Sequence, residues 1–151
     1  MSTRFTSENS APELQEPLTV LLESASQSVL KRVVAHLRER GYEDITEPHL
    51  MLYGNLDCGA TYAAAIAQRM QVSRQAISKT LRELQELGFV QLEDDVHKRN
   101  QKQVVMTERG MQLALDAREA LKVIEEELAE QLGDEAMAAL RRALELGWGS
   151  K

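Results

Sequence analysis

Aromatic residues and cysteine are scarce in this 151-residue sequence. Phe, Trp and Tyr make up 4% of it, so a hydrophobic core must rest on Leu, Val, Ile, Ala and Met. The one cysteine, Cys58, cannot form a disulfide within the chain, which is typical of proteins from a reducing compartment. We therefore expect stability to come from aliphatic packing rather than from cross-links.

Long apolar segments are missing as well. No apolar run approaches the roughly 18 residues that suggest a membrane span. The segment MSTRFTSENSAPELQEP has no apolar stretch of the kind that a secretory signal contains. We expect a soluble, cytoplasmic protein without a membrane partner.

Motifs for catalysis are also lacking. The sequence contains no Gly-rich phosphate loop and no nucleophile elbow, so we expect neither an enzyme nor a cofactor. The three histidines, His36, His49 and His97, are far apart and match no metal-ligand spacing, so we expect no metal site.

Acidic residues are absent from one stretch, QRMQVSRQAISKTLR, although the whole chain has a formal net charge of -6. The basic side chains of this stretch are Arg69, Arg74, Lys79 and Arg82. Residues 61–110 contain eight Lys or Arg and six Asp or Glu, a balance of +2, whereas the remainder contains 10 and 18, a balance of -8. This asymmetry indicates a basic working module between acidic flanks.

Hydrophobic periodicity gives the organisation of the chain. Spacings of three and four predict long amphipathic helices in both terminal parts, and a period of two around the charged segment DDVHKRNQ predicts a two-stranded hairpin. The predicted N-caps include Thr61, Ser73, Thr107 and Asp134. We expect a mainly α fold with a small β-hairpin wing (α+β). Its predicted parts are a flexible tail (1–12), N-terminal helices (13–56), a winged helix-turn-helix (57–107) and C-terminal helices (108–151).

The long apolar stripes of the terminal helices exceed what the central module can cover. They either pack on that module or pack on a second copy of themselves. Because closed two-fold dimers are the commonest oligomers, we favour a homodimer.

A helix, a three-residue turn and a second helix follow one another in the acid-free region, which is the helix-turn-helix arrangement. The residues expected to face inward are Ile66, Ala67 and Met70 on the first helix and Ile77 and Leu81 on the second. Val72 is expected to fill the turn, and the small Ala67 lets two helix backbones come close. The outer face of the second helix would carry Ser73, Arg74, Gln75, Ser78, Lys79 and Arg82. Arg74 can pair bidentately with guanine and Gln75 with adenine, whereas the other four can contact phosphates. The plainer alternative is a solvated polar face.

The hairpin tip strengthens the interpretation as a DNA-binding protein. His97, Lys98 and Arg99 would lie at the end of an arm that can follow the DNA backbone or insert an arginine into a narrow minor groove. The alternative is a solvated turn.

At this point the sequence resembles the MarR family of bacterial winged-helix transcriptional regulators. The resemblance is carried by IAQRMQVSRQAISKTLRELQELGFVQL, the charged wing, VVMTERG and LGDEAMAALRRALEL, and it spans about residues 18–147. It implies a homodimer held by its terminal helices, which binds double-stranded DNA at a pseudo-palindromic operator, usually as a repressor. The two recognition helices would then lie about 34 Å apart.

Two positions depart from the family pattern. Family wings usually read Asp-x-Arg. Asn100 stands at the expected Arg, Arg99 lies one residue early, and His97, two residues before Arg99, stands where the Asp is expected. Either the wing is one residue longer or the Asp–Arg bond that braces it is absent. Gln71 occupies a turn position that is often glycine, so a positive φ there would be strained.

Small-molecule control is the last expectation from the resemblance, since many relatives release DNA when an aromatic ligand binds. His36, His49 and Tyr53 are candidates for lining an effector pocket, although a partly exposed helix position is the plainer interpretation of each. A redox role for Cys58 is disfavoured, because no cation adjoins it in sequence to lower the thiol pKa. The rival to a DNA-binding regulator is a winged helix that docks on protein.

Overall fold

The computed structural model describes residues 14–56, 61–95, 97 and 101–148. These residues form six α-helices and three β-strands. In chain order they are α1 (Leu18–Glu39), α2 (Glu47–Tyr53), β1 (Thr61–Tyr62), α3 (Ala63–Met70), α4 (Arg74–Glu86), β2 (Val90–Asp94), β3 (Lys102–Met106), α5 (Glu108–Leu132) and α6 (Asp134–Glu145). The prediction of a mainly helical chain with a small wing is confirmed.

One hydrophobic core joins the helices to the sheet, and it contains side chains from α1 through α5. Its largest fully buried members include Leu37, Leu52, Ile66, Leu84, Phe89, Leu113 and Ile124. As the composition predicts, Phe89 is the only Phe or Trp among the buried core residues of the described chain, so aliphatic packing supplies most of the burial.

A polar cluster ties the end of α1 to α5. The Tyr42 hydroxyl donates a hydrogen bond of 2.5 Å to Asp116, and Arg40 contacts Asp116 at 3.2 Å and Glu119 at 2.9 Å. Burial, together with the hydrogen bond to the Asp116 carboxylate, raises the pKa of Tyr42 to about 12. The Tyr42 hydroxyl in turn lowers the pKa of Asp116. This cluster supports the frame on which the central module lies.

The sheet has one more strand than the sequence predicts. Its order is β1-β3-β2, and both pairs are antiparallel. Val104 of the central strand β3 pairs with Thr61 of β1 on one side and with Leu92 of β2 on the other. The prediction that Thr61 caps α3 is wrong. Thr61 is buried in strand β1, and Tyr62 occupies the cap position, where its side chain forms no capping hydrogen bond with α3. Pairing with β3 takes precedence because it places a β-branched side chain in the core.

Two of the predicted N-caps are confirmed. Ser73 Oγ accepts from the Ala76 N–H at 3.2 Å at the start of α4, and Thr107 Oγ1 accepts from the Gly110 N–H at 3.0 Å at the start of α5. The cap predicted at Asp134 is wrong, because Gly133 is the cap residue between α5 and α6. Asp134 lies in the first turn of α6, where a carboxylate stabilises the positive end of the helix dipole.

Gln71 has the positive φ that the sequence suggested, at φ 54° and ψ 41°. It is the cap residue of α3 and the first residue of the turn before α4. A side chain in this left-handed region crowds its own backbone, whereas glycine tolerates it.

Gln71→Gly is expected to raise the free energy of unfolding by about 0.5–1 kcal/mol, because it relieves this strain. Urea unfolding followed by circular dichroism measures the effect. The matched control is Gln68→Gly, an exposed position inside α3, where glycine should cost about 1 kcal/mol. A loss of stability in both variants would show that Gln71 is not strained.

The terminal helices leave much apolar surface uncovered. Helix α6 has no buried residue, although it is amphipathic. Large apolar side chains at least two-fifths exposed in α1, α5 and α6 are Leu18, Val20, Leu21, Met111, Leu115, Leu132, Leu140 and Leu144. Within the described ranges, no helix is both long enough and apolar enough to cross a membrane.

Candidate nucleic-acid interface

Helices α3 and α4 pack through the residues that the sequence predicted to face inward. Ile66 and Ala67 of α3 and Ile77 and Leu81 of α4 are all at most 5% exposed. The prediction that Val72 fills the turn is wrong, since its side chain is 42% exposed. Backbone bonds close the turn instead, with the Val72 N–H donating to the Ala67 carbonyl at 3.1 Å.

The outer face of α4 is fully open. All six residues predicted to contact DNA are exposed, namely Ser73, Arg74, Gln75, Ser78, Lys79 and Arg82. Arg74, Lys79 and Arg82 form no ion pair with any other described residue. Three cations without neutralising carboxylates on one exposed helix give a surface that attracts polyanions. The contact of each residue with DNA stays a prediction.

The fourth cation of the acid-free stretch has a different position. Arg69 Nη1 donates to the Asn55 carbonyl at 3.1 Å and so ties α3 to the segment that follows α2. The absence of acidic residues therefore corresponds to one exposed helix face plus one structural arginine.

Two carboxylates, Glu83 and Glu86, lie in the last turn of α4, after Arg82. Glu83 Oε2 lies 2.7 Å from Nε2 of the buried His49, which is on α2. The contact holds the negative charge of Glu83 on the α2 side of the helix. No local sequence pattern links these two residues, which are 34 positions apart.

The base of the wing is braced by an aspartate that the sequence analysis did not single out. The Tyr62 hydroxyl donates to Asp95 Oδ2, Asp95 Oδ1 accepts from the His97 N–H at 2.8 Å, and the Asp95 N–H donates to the Gln101 carbonyl at 3.1 Å. Asp95 thus orders the base of the hairpin tip, although the family's Asp-x-Arg pattern is missing. His97 is exposed, whereas the predicted wing contacts Lys98 and Arg99 lie outside the described residues.

A groove of about 400 Å³ runs between the base of the wing and the start of α4. Arg74 and Ser78 line one wall, and Gln101 and Lys102 line the other. Lys102 is an exposed cation that faces the same side as the helix, and the sequence analysis counted it only in the net charge. The wing and α4 therefore present their polar groups to one shared space.

The predicted effector residues occupy three different environments. His36 is half-buried on α1, whereas His49 is 3% and Tyr53 8% exposed. The Tyr53 hydroxyl donates to the Phe89 carbonyl at 3.0 Å, and burial raises its pKa. A separate groove of about 410 Å³ lies between α1 and α2, lined in part by Lys31, Arg38 and Thr46. The role of the three residues in ligand binding stays a prediction.

Cys58, the disfavoured redox candidate, lies outside the described residues. Among the described residues, no group of three or more His, Asp, Glu or Cys side chains is placed to hold a metal ion.

These features define a winged helix-turn-helix protein. The helix-turn-helix is α3 and α4, the wing is the β2–β3 hairpin, and the long helices α1 and α5 frame both.

Comparison with known proteins agrees with this class. A model of the MarR family matches residues 50–99, which include α3, α4 and β2. A MarR-family transcriptional regulator from Rhodococcus sp. RHA1 has a similar structure, with a TM-score of 0.72 and 21% identity over 89% of this chain and 94% of that one. Escherichia coli MarR in its apo form gives a TM-score of 0.71 and 18% identity over 86% and 96%.

A third similar structure was solved with a ligand. CouR from Rhodococcus jostii RHA1, bound to p-coumaroyl-CoA, gives a TM-score of 0.66 and 21% identity over 89% of this chain and 93% of that one. A search of curated proteins gave no match. The family model and the shared fold together confirm the predicted resemblance to the MarR family.

Proposed function

We propose that this protein is a sequence-specific, DNA-binding transcriptional regulator of the cytoplasm and not an enzyme. The observation that carries the proposal is the outer face of α4, where Arg74, Lys79 and Arg82 are exposed without an ion-pair partner among the described residues. A chain with a net charge of -6 has abundant carboxylates to pair them with. Residues 73–82 of such a chain, kept free of carboxylates, are suited to a phosphate backbone.

The division of labour on this face follows from side-chain chemistry. Arg74 and Gln75, in the first turn of α4, would read base edges in the major groove, as helix N-termini do in this motif. Ser73, Ser78, Lys79 and Arg82 fix the helix on the phosphates. Lys102 extends the cationic surface towards the wing, where Lys98 and Arg99 would reach the adjacent minor groove.

The regulator would act as a homodimer. The apolar faces of α1 and α6 are uncovered in the single chain, and a two-fold axis through them would bury both sets at once. Two recognition helices related by that axis would read a pseudo-palindromic operator with half-sites about one DNA turn apart. Repression by occupying a promoter is the simplest outcome of such binding.

Release by a small aromatic ligand is part of the proposal. CouR, which shares the fold, was solved with p-coumaroyl-CoA, an aromatic acyl thioester. In this chain the groove between α1 and α2 is lined by the cations Lys31 and Arg38 and by one carboxylate, Glu47, and this excess of positive charge would suit an anionic ligand of this kind. A ligand there would release DNA if it prefers a spacing of the two α4 helices that does not fit the operator.

The test is fluorescence anisotropy with labelled DNA from upstream of the protein's own coding region, measured at two salt concentrations. Arg74→Ala is expected to weaken binding by about tenfold or more and to reduce discrimination against unrelated DNA, because it removes a base contact. Lys79→Ala should weaken binding to all sequences alike and lower the salt slope by about one, because it removes a phosphate contact.

The matched control is Arg118→Ala, which removes an exposed arginine from α5 and should leave both affinity and slope unchanged. Binding that is insensitive to salt and to both α4 substitutions would contradict the proposal. It would favour a winged helix that docks on another protein.

A further inference from the structure

We infer that His49 and Glu83 form a latch that sets the orientation of the recognition helix α4 on helix α2. Both are positioning residues, since neither belongs to the exposed face that is expected to touch DNA. The inference rests on the proposed DNA binding and adds to it a determinant of how strictly sequence is read. The pair is called the His49–Glu83 latch below.

Both ring nitrogens of His49 are used, which fixes the ring. Nδ1 accepts from the Thr46 N–H at 3.1 Å and so caps the start of α2. A nitrogen that accepts carries no proton, so the proton of the neutral ring lies on Nε2. Nε2 then donates to Glu83 Oε2 at 2.7 Å, a distance typical of a bond to a charged acceptor. The ring is 3% exposed, so water has little access to its two nitrogens, whereas the Glu83 side chain is 43% exposed.

Within the described part of the chain, the latch is the only side-chain hydrogen bond that joins residues 74–86 to another helix or strand. Arg109 donates to the carbonyl of the cap residue Leu87 at 3.2 Å, and the remaining contacts of α4 are chiefly apolar, through Ile77, Leu81 and Leu84. Apolar packing resists separation but depends weakly on orientation, whereas a hydrogen bond requires a narrow range of angles. Removing the latch should therefore let α4 rotate or slide slightly while it stays packed. Bidentate base contacts lose more from such a shift than phosphate contacts do.

The latch also reaches the groove between α1 and α2. Thr46, whose N–H orients the His49 ring, is one of the residues that line this groove. Helix α2 contacts α1 on one side and α4 on the other. A change at the groove wall is thus two hydrogen bonds away from the recognition helix.

Three substitutions separate the latch from charge and from capping. Glu83→Gln removes the negative charge but keeps an acceptor for Nε2, whereas Glu83→Ala removes both. His49→Gln keeps an acceptor for the Thr46 N–H, as in a Thr-x-x-Gln capping box, but loses the ring nitrogen that bonds Glu83. Removal of a carboxylate near DNA by itself strengthens binding, because it removes repulsion from the phosphates. Weaker DNA binding by Glu83→Ala would therefore not be explained by the change in charge.

Operator anisotropy is the first measurement. Glu83→Ala and His49→Gln are each expected to lower affinity for the selected DNA about fivefold. This is less than the free energy of one hydrogen bond to a charged group, because the latch affects the base contacts only through the orientation of α4. The variant with both Glu83→Ala and His49→Gln should bind the selected DNA with the affinity of the single variant that binds less tightly, because the two changes remove the same interaction. Glu83→Gln should bind at least as well as the wild type, and affinity for unrelated DNA should fall by less than twofold in all variants. Equal affinities of Glu83→Ala and Glu83→Gln for the selected DNA would overturn the latch.

Amide hydrogen exchange in residues 74–86 without DNA is the second measurement. Exchange should rise in Glu83→Ala and stay at the wild-type rate in Glu83→Gln, and unchanged exchange in both would overturn the latch on its own. Glu83 is partly exposed, so these two variants are expected to fold even if His49→Gln does not. A wild-type protein that selects no DNA would refute the proposed function, and the exchange rates would still decide whether the latch holds α4.

Discussion

Gly110→Ala is expected to lower the free energy of unfolding by about 3 kcal/mol, a large effect for the addition of one methyl group. A Cβ at this position would overlap the Phe89 carbonyl oxygen and the Tyr53 hydroxyl, and it would lie 3.0 Å from the Phe89 carbonyl carbon. Two of these atoms share a hydrogen bond of 3.0 Å, so neither can move without breaking it. Urea or thermal unfolding measures the loss.

The sign of this effect is diagnostic, because alanine normally stabilises a helix by about 1 kcal/mol relative to glycine. Gly54→Ala is the matched control. Its Cβ would meet only the carbonyl oxygens of Leu50 and Met51, at 3.7 and 3.6 Å, which is ordinary contact. We expect Gly54→Ala to be neutral or slightly stabilising. A Gly110→Ala variant as stable as the wild type would show that α5 does not approach Phe89 this closely.

Leu140→Asp combined with Leu144→Asp is expected to convert a dimer into monomers at low micromolar concentration. The two leucines are 45% and 50% exposed on an amphipathic helix that buries nothing within its own chain. Four carboxylates across a two-fold interface would be desolvated without partners, which costs several kcal/mol. The affinity of this variant for the operator should fall at least tenfold. Each monomer then binds one half-site alone and lacks the higher effective concentration that two linked recognition helices have. Light scattering and anisotropy measure the two effects.

Ala138→Asp is the control on the same helix. Ala138 is exposed and, at 100° per residue, lies on the opposite face from Leu140 and Leu144. This variant is expected to stay dimeric and to bind DNA like the wild type. A wild-type protein that is monomeric at the same concentration would remove the basis for a palindromic operator.

The helix-turn-helix is the part of the fold most easily predicted from sequence, because its determinants are local. Inward positions such as Ile77 and Leu81 follow from helical spacing, and Ser73 caps α4 through the Ala76 N–H three residues on. The positive φ of Gln71 was suggested by its turn position alone. The exposure of the α4 face follows once the inward positions are assigned.

Long-range pairing decided the features that the sequence did not reveal. Thr61 looks like a helix cap in its local context. It instead forms a third strand by pairing with Val104 of β3, which is more than 40 residues away in sequence. Val72 was expected inside the turn, but it is 42% exposed, and the bond from its N–H to the Ala67 carbonyl closes the turn. For Thr61, a local capping preference worth about 1 kcal/mol was overridden by burial and strand pairing.

The wing and the His49–Glu83 latch illustrate the same limit at the candidate site. Asp95 braces the wing because the fold brings Tyr62 of β1 next to it, and His49 meets Glu83 because α2 packs on α4. By itself the sequence determined the class of protein, the basic module and the face of α4, since helical period and side-chain charge are properties of neighbouring residues. Only the tertiary structure decided which polar groups hold that face in place, because hydrogen-bond partners distant in sequence are chosen by packing.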